Sequence, residues 1–381
     1  MPSVAYFSNQ FATNQGHGVA RYAHHLFEAF HELSSPFDLI PVAAWSDRSA
    51  ESLKALHRST NLQLLPWGRR LTPLVWNMSS YLPIENGVEE DIDIVHAVSL
   101  GYRISTRKPY LVTVHDIGPL THPEFFTDKP PWIMARALSQ AVKKAERFIC
   151  VSQTTADDLV FYCKKKYGIN VFDRIDIALE GVSNHFFEAP SSETEISNLD
   201  INLNSPFFLA VGKLSPRKNL SSILESLSIV KNDIPHHLIA VGGDGWAFKD
   251  TKNKVSSLGL DHRVHFPGYV SDKTLKILYR KATGFIYPSL FEGFGLTVLE
   301  AMASSCPVIT SNLSSLPEVA GDAALLINPM APEEIAEAML CLATEKELAN
   351  SLRRKGIERA KTFTWSKCAI EIEKAYRKVL G

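Results

Sequence analysis

The stretch SLFEGFGLTVLEAMA, Ser289–Ala303, sets two carboxylates, Glu292 and Glu300, around the turn Gly293-Phe294-Gly295. Glycines there permit positive φ and close approach of the backbone to a ligand. A helix opening at Gly295 or Leu296 would aim its first N–H groups outward, which suits an anion. Carboxylates are poor phosphate ligands but good acceptors for sugar hydroxyls. The pattern therefore fits a ligand that carries phosphates and a sugar together. For this spacing taken alone, the alternative is a surface loop glutamate followed by a solvated helical one.

Three other segments bear on that chemistry. VGKLSPRKNL (211–220) places Lys213, Arg217 and Lys218 just after an apolar run. Cations there could neutralise a diphosphate, lysine acting as a point charge; a solvated strand-to-helix turn is the alternative. VTVHDIGPL (112–120) puts His115 and Asp116 at the end of a second apolar run. An imidazole so placed could touch a reacting hydroxyl, or could be a satisfied core histidine. NQGHGVARY (14–22) supplies a glycine-containing loop, with Gly18, ahead of a helical pattern; one G-x-G is a weak signal. The other histidines show no metal-ligand spacing. Asp91-Ile92-Asp93 imitates the Asp-x-Asp of metal-dependent sugar transferases, but it leads into IVHAV and reads as a solvated strand entrance. Neither a metal nor a cofactor is expected.

These residues need a scaffold, and the hydrophobic pattern describes one. Short apolar runs alternate with amphipathic stretches along most of the chain. SVAYFS (3–8), DLIPVAAW (38–45), DIVHAVS (93–99), YLVTVHD (110–116), RFICVS (147–152) and RIDIALEGV (174–182) read as strands. Helices fall between them, as at 133–145 and 154–166, and Val19, Tyr22, Leu26, Phe30 and Leu33 recur at helical spacing. The alternation resumes after the polar stretch 187–206, with FFLAVGKL (207–214), HLIAVGGDG (237–245), RVHFPGYV (263–270), GFIYPSL (284–290), PVITSN (307–312) and AALLINP (323–329). Such βα alternation predicts parallel sheets covered on both faces, with ligands beyond the carboxyl ends of the strands. The division expected is 1–190, a linker over 191–205, and 206–364, with a last helix (365–381, Ser366 near its cap) completing the first domain.

At 381 residues two domains are the natural expectation. Composition excludes several classes. The 40 Lys and Arg oppose 41 Asp and Glu, and neither half carries the basic excess of a nucleic-acid binder. Five scattered cysteines without a CxxC read as reduced core thiols of a cytoplasmic protein. MPSVAYFSNQF lacks the basic start of a signal peptide, and no run is long enough to cross a bilayer, so membrane contact is expected to be peripheral. No strand is followed by a full G-x-G-x-x-G, which disfavours a dehydrogenase.

Taken in order, the segments resemble the family-4 retaining glycosyltransferases of the GT-B type, two Rossmann-like doubly wound domains facing a central cleft. The likeness is strongest over 206–329, through VGKLSPRKNL, VGGDG, HFPGYVSD, YPSLFEGFGLTVLEAMASSCPVIT and SSLPEVAGDAALLINP. It is looser in GHGVARYAHHL, VTVHDIGPL, FICVSQTTADDL and FTWSKCA. The resemblance implies a retaining, metal-independent hexosyltransferase in bacterial polysaccharide or lipopolysaccharide biosynthesis. It would use a nucleotide-sugar donor, GDP-mannose or a related GDP-sugar favoured over UDP-sugars, and a glycan or lipid-linked acceptor. A lipid-linked acceptor would bring it to the cytoplasmic face of the inner membrane.

Roles follow residue by residue. Glu292 matches the family glutamate near the transferred sugar, and Glu300 the one that holds the ribose. Phe294, Gly295 and Leu296 match the backbone groups that meet donor sugar and phosphates. Lys218 matches the diphosphate-binding lysine. Lys213 stands where arginine is usual, so bidentate phosphate binding gives way to a point charge. Arg217 adds a cation beside it. Gly18 matches a glycine lying against the diphosphate, His115 the histidine on the acceptor side, and Tyr269 and Val270 the segment holding the base. A nucleotide-sugar 2-epimerase of the same form, a phosphorylase and a non-catalytic sugar-nucleotide binder are the rival readings.

Overall fold

A computed structural model describes residues 1–9, 18–44, 62–68, 71–72, 75–76, 82–126, 130–190, 196, 201, 203–243 and 248–381. The chain forms two compact units, Met1–Gly181 with Thr364–Gly381, and Val182–Phe363. Residues 14–17, Trp45 of DLIPVAAW, most of the stretch 191–205 and Asp244-Gly245 of VGGDG lie outside the described residues.

The first unit contains seven strands: β1 (Ser3–Phe7), β2 (Asp38–Ala43), β3 (Gln63–Leu64), β4 (Ile94–Ala97), β5 (Tyr110–Val114), β6 (Arg147–Cys150) and β7 (Ile175–Ile177). They pair in the order β3-β2-β1-β4-β5-β6-β7, all parallel. β4 and β5 are buried along their whole length, which is why their sequences read as apolar runs rather than alternations. The run at 174–182 yields a strand only over Ile175–Ile177.

The last helix, Trp365–Leu380, belongs to this unit and packs on the helix Gly18–Glu32. Thr364 caps it, accepting from the Lys367 N–H at 3.2 Å, so the cap falls two residues before the expected Ser366. Tyr376 reaches from this helix to His96 of β4 at 2.7 Å, both side chains fully buried.

In the second unit β8 (Phe207–Val211), β9 (His237–Val241), β10 (Val264–Gly268), β11 (Gly284–Tyr287), β12 (Val308–Ser311) and β13 (Leu325–Ile327) pair in the order β10-β9-β8-β11-β12-β13. All pairs are parallel. Both sheets are doubly wound: chain order reverses between β1 and β4 in one and between β8 and β11 in the other. In such sheets the crevice at the reversal is the place for a ligand. Close contact of two turns shapes the β8 side of it. Gly242 has φ 153°, and a Cβ there would lie 2.0 Å from the Gly212 carbonyl oxygen. Only glycine lets the turns after β8 and β9 approach this closely.

Candidate functional site

The loops after β8 and β11 are tied to each other by the backbone and by short polar side chains. Leu290 N–H donates to the Arg217 carbonyl at 2.8 Å, and the Ser289 hydroxyl oxygen lies 3.0 Å from the same carbonyl. Asn219, buried and at φ 55°, donates from its side-chain amide to the Pro329 carbonyl at 2.7 Å and the Pro288 carbonyl at 3.3 Å. It also opens the helix Leu220–Val230, whose Ser222 hydroxyl donates to its Oδ1 at 2.8 Å. Asparagine tolerates left-handed backbone better than other non-glycine residues, so one residue sets the turn and fastens both loops.

Inside this frame the expected cations meet the expected acid. Arg217 Nη1 lies 2.5 Å from Glu292 Oε2, and Lys218 Nζ 2.7 Å from Oε1. Oε1 also accepts from the Tyr287 hydroxyl at 2.9 Å and the Ser289 hydroxyl at 2.6 Å. Lys218 further donates to the Tyr287 hydroxyl. Glu292 is 8% exposed and Glu300 is 1% exposed, so neither is the surface or solvated residue that the spacing alone allowed. Burial pushes the Glu292 carboxyl upward, but Arg217, Lys218 and the Ser289 bond outweigh it and hold the group at about 2. Burial, with the Glu292 charge second, keeps the Tyr287 phenol well above its usual range, so it stays a donor.

Beyond Glu292 the loop is fixed from a third segment. The Ser314 hydroxyl donates to the Glu292 carbonyl at 2.5 Å, and the Ser315 hydroxyl shares its hydrogen between the Phe294 carbonyl at 2.7 Å and the Glu292 carbonyl at 2.9 Å. Gly295 adopts φ 114° and opens the helix Leu296–Ala303, on which Glu300 is buried. A Cβ at 295 would sit 2.8 Å from a methyl of Leu316. Phe294 is buried and anchors the turn. Lys213, exposed, lines a small pocket with Gly212, Lys218, Val241, Ile286 and Tyr287 at the carboxyl ends of the strands. Tyr269 and Val270 follow β10; Tyr269 is 65% exposed, whereas Val270 is buried.

The first unit holds its own candidates. His115 follows β5, with Nε2 3.0 Å from the Val98 carbonyl and Nδ1 3.2 Å from the Glu180 carboxylate. The Tyr22 ring stands edge-on to the imidazole at 4.7 Å. A carbonyl can only accept, so Nε2 is the donor in the contact with Val98. Gly18 begins the helix Gly18–Glu32, and no atom of the described residues lies within 4 Å of the position a Cβ would take there.

Sequence reasoning missed Asn219, Tyr287, Ser289, Ser314 and Glu180. A tyrosine closing the apolar run GFIY was a readable signal; nothing local marked Glu180. Among the described residues no group of three or more His, Cys, Asp or Glu side chains could hold a metal ion. No helix among them is long and apolar enough to cross a membrane.

Two doubly wound parallel sheets, with cations and buried glutamates at the carboxyl ends of the second, define the GT-B class of glycosyltransferase. The family model for glycosyltransferase family 4 matches residues 16–168, and that for glycosyl transferases group 1 matches residues 191–359. The O-antigen chain mannosyltransferase RfbU of Salmonella typhimurium is 31% identical over 266 residues, 68% of each chain. O-antigen chain mannosyltransferase B of Escherichia coli is 27% identical over 269 residues, 70% of each. The solved sucrose-phosphate synthase of Thermosynechococcus elongatus superposes with a TM-score of 0.74 at 19% identity, covering 100% of this chain and 99% of its own. The chain belongs to glycosyltransferase family 4.

Proposed function

We propose that the protein transfers a hexose, with retention at the anomeric carbon and without a metal, from a nucleotide sugar to a hydroxyl of a glycan or lipid-linked glycan. GDP-mannose or a related GDP-sugar is the donor favoured, since relatives of substantial coverage are named as mannosyltransferases of O-antigen chains. Their setting supports a place in bacterial polysaccharide or lipopolysaccharide biosynthesis, in the cytoplasm or at the inner face of its membrane.

The observation that carries this reading is the convergence of Arg217 and Lys218 on Glu292 at the β8–β11 reversal. The two cations outnumber the one acid, and Lys213 adds a third positive charge near the same strand ends. That excess matches a departing diphosphate. Charge developing on its oxygens would meet fixed cations and the N–H groups of Phe294, Gly295 and Leu296, and preorganised donors of this kind are worth ~3 kcal/mol each. The acceptor hydroxyl would attack on the leaving-group face and pass its proton to the departing phosphate. Glu292 would stabilise and orient the sugar, and Glu300 would hold the ribose. His115, with both ring nitrogens engaged, would act by stabilising and positioning the reacting groups rather than as a base. Gly18 would let the first-unit loop approach the diphosphate, and Tyr269 and Val270 would flank the base.

Thermal shift with GDP, UDP and ADP tests the donor site. At ~100 times the dissociation constant a ligand adds about 2.7 kcal/mol, enough to raise the melting temperature visibly. Glu292→Ala should retain the fold and lose most of kcat, and the product anomer should match the donor. Near-normal turnover in that variant, or indifference to every nucleotide, would end the reading.

A further inference from the structure

Glu292 is held asymmetrically. Three donors fill Oε1: Lys218 Nζ at 2.7 Å, the Tyr287 hydroxyl at 2.9 Å and the Ser289 hydroxyl at 2.6 Å. Among the described residues Oε2 meets Arg217 alone, at 2.5 Å. The two neutral donors sit on rigid supports. Tyr287 ends β11 and is 3% exposed, and Ser289 is fully buried, its hydroxyl oxygen 3.0 Å from the Arg217 carbonyl. Arg217 differs from them: its side chain is 21% exposed, and Nη1 also donates to the Phe291 carbonyl at 2.8 Å.

We infer that the two oxygens of Glu292 have separate tasks, Oε1 being an anchor held by the positioning residues Tyr287 and Ser289, and Oε2 being the oxygen offered to the transferred sugar. The inference rests on the donor reading above. A diphosphate entering beside the β8 loop offers Arg217 an acceptor of higher charge than a carboxylate, and guanidinium binds phosphate bidentately. As Arg217 turns to it, Oε2 loses its cation and becomes the acceptor for a sugar hydroxyl. Lys218 can bridge to the same phosphates. The carboxylate then keeps its orientation only through Tyr287 and Ser289, because neither has competing work on the ligand. Without them the carboxylate could rotate about its last bond and follow the cations to the wrong side.

The test compares nucleotide with nucleotide sugar on the full chain. Titration calorimetry with GDP, GDP-mannose, UDP and UDP-glucose would be run on wild type, Tyr287→Phe, Ser289→Ala and the double variant, each first checked for an intact melting transition. The base bound best by wild type sets the pair to compare. The diphosphate affinity of the variants should stay within about twofold of wild type. The additional affinity conferred by the attached sugar should fall about tenfold in the double variant, as expected for losing hydrogen bonds to a charged group. In turnover the loss should appear in kcat more than in KM for the donor. Wild-type kcat in the double variant, or equal weakening of diphosphate and nucleotide sugar, would overturn the assignment. So would a wild type that binds a diphosphate yet gains nothing from the attached sugar, although the nucleotide site would then stand. A wild type that binds none of the four ligands removes the donor reading itself, and this inference with it.

Discussion

Arg217 and Glu292 close a 2.5 Å ion pair between the loops that follow β8 and β11, with Lys218 on the other carboxylate oxygen. The pair answers an energetic requirement of the fold. A carboxylate as buried as Glu292 is costly unless matched by charge and hydrogen bonds, and its removal leaves two cations facing each other. The same side chains that suit donor chemistry therefore also hold the two loops in register.

This coupling predicts a specific acid response. The Glu292 carboxyl has an ordinary value of 4.5 and sits at about 2 in the folded chain. Its folded value is depressed, so its contribution is complete above pH 4.5 and is lost as pH falls toward 2. The shift corresponds to about 3 kcal/mol over that window. Glu292→Gln should be less stable than wild type at pH 7 yet lose less on acidification. Urea unfolding at pH 7, 5 and 3.5 measures this. Parallel decline in the two proteins would mean the ion pair contributes nothing.

Asn219 permits a sharper dissection of the loop frame. Asn219→Ala loses the bonds to Pro288 and Pro329 and strains a backbone at φ 55°. Asn219→Gly loses the same bonds but relieves the strain. The alanine variant should be destabilised by about 2–4 kcal/mol, and the glycine variant by about 1 kcal/mol less. Both should bind nucleotide more weakly, since Arg217 and Lys218 ride on this loop. Equal stability of the two variants would show that the left-handed turn carries no strain.

The parts of this architecture visible in the sequence were those encoded locally. Strands such as FFLAV and YLVTV are short apolar runs because parallel strands bury both faces, and their order implied doubly wound sheets. The glycine at 295 advertised its turn, and the cations after β8 advertised charge. What could not be read was which groups would meet. Lys218 and Glu292 are 74 residues apart, and their contact follows from β8 pairing with β11, a crossover that periodicity does not specify. Glu180 was hidden for a similar reason: it reaches His115 across 65 residues from an irregular segment. The last helix starts at Trp365 as its sequence implied, but which neighbour caps it was not readable, because Thr364 and Ser366 both have capping chemistry and only backbone geometry separates them.

Tyr376 should fasten the last helix to the first unit. Its hydroxyl lies 2.7 Å from His96 Nδ1, while His96 Nε2 meets the Thr113 hydroxyl at 2.8 Å, and all three residues are fully buried. Burial, with His115 second, lowers His96 to about 3, so its ring is neutral at ordinary pH. Tyr376→Phe strands one ring nitrogen away from water, at a cost of about 1–3 kcal/mol. Chemical denaturation should register that loss, while nucleotide affinity stays near the wild-type value, since neither Tyr376 nor His96 is among the residues proposed to hold the donor. A melting curve unchanged by the substitution would show that packing alone docks the helix.

His237 and His265 place a second acid-sensitive contact on neighbouring strands β9 and β10. Their rings stack with centroids 5.2 Å apart, and Nδ1 of His237 lies 2.9 Å from Nε2 of His265. One nitrogen must donate and the other accept, so the pair cannot carry protons on both facing nitrogens. Burial lowers His265; burial first, then His265 and Arg263, lowers His237. Both folded values lie below 6.5, the ordinary value, whereas an unfolded chain takes up protons there. The pair's contribution is therefore complete above pH 6.5 and is lost as pH falls through the lowered folded values. The neighbouring His236, lowered to about 4 chiefly by burial, acts in the same direction and should preserve part of the slope in any pair variant. His265→Gln keeps a polar partner for His237 while removing one titrating ring. Unfolding free energies at pH 7.5 and 5.5 should differ less in this variant than in wild type. An identical difference in the two proteins would show that the stacked pair does not resist protonation.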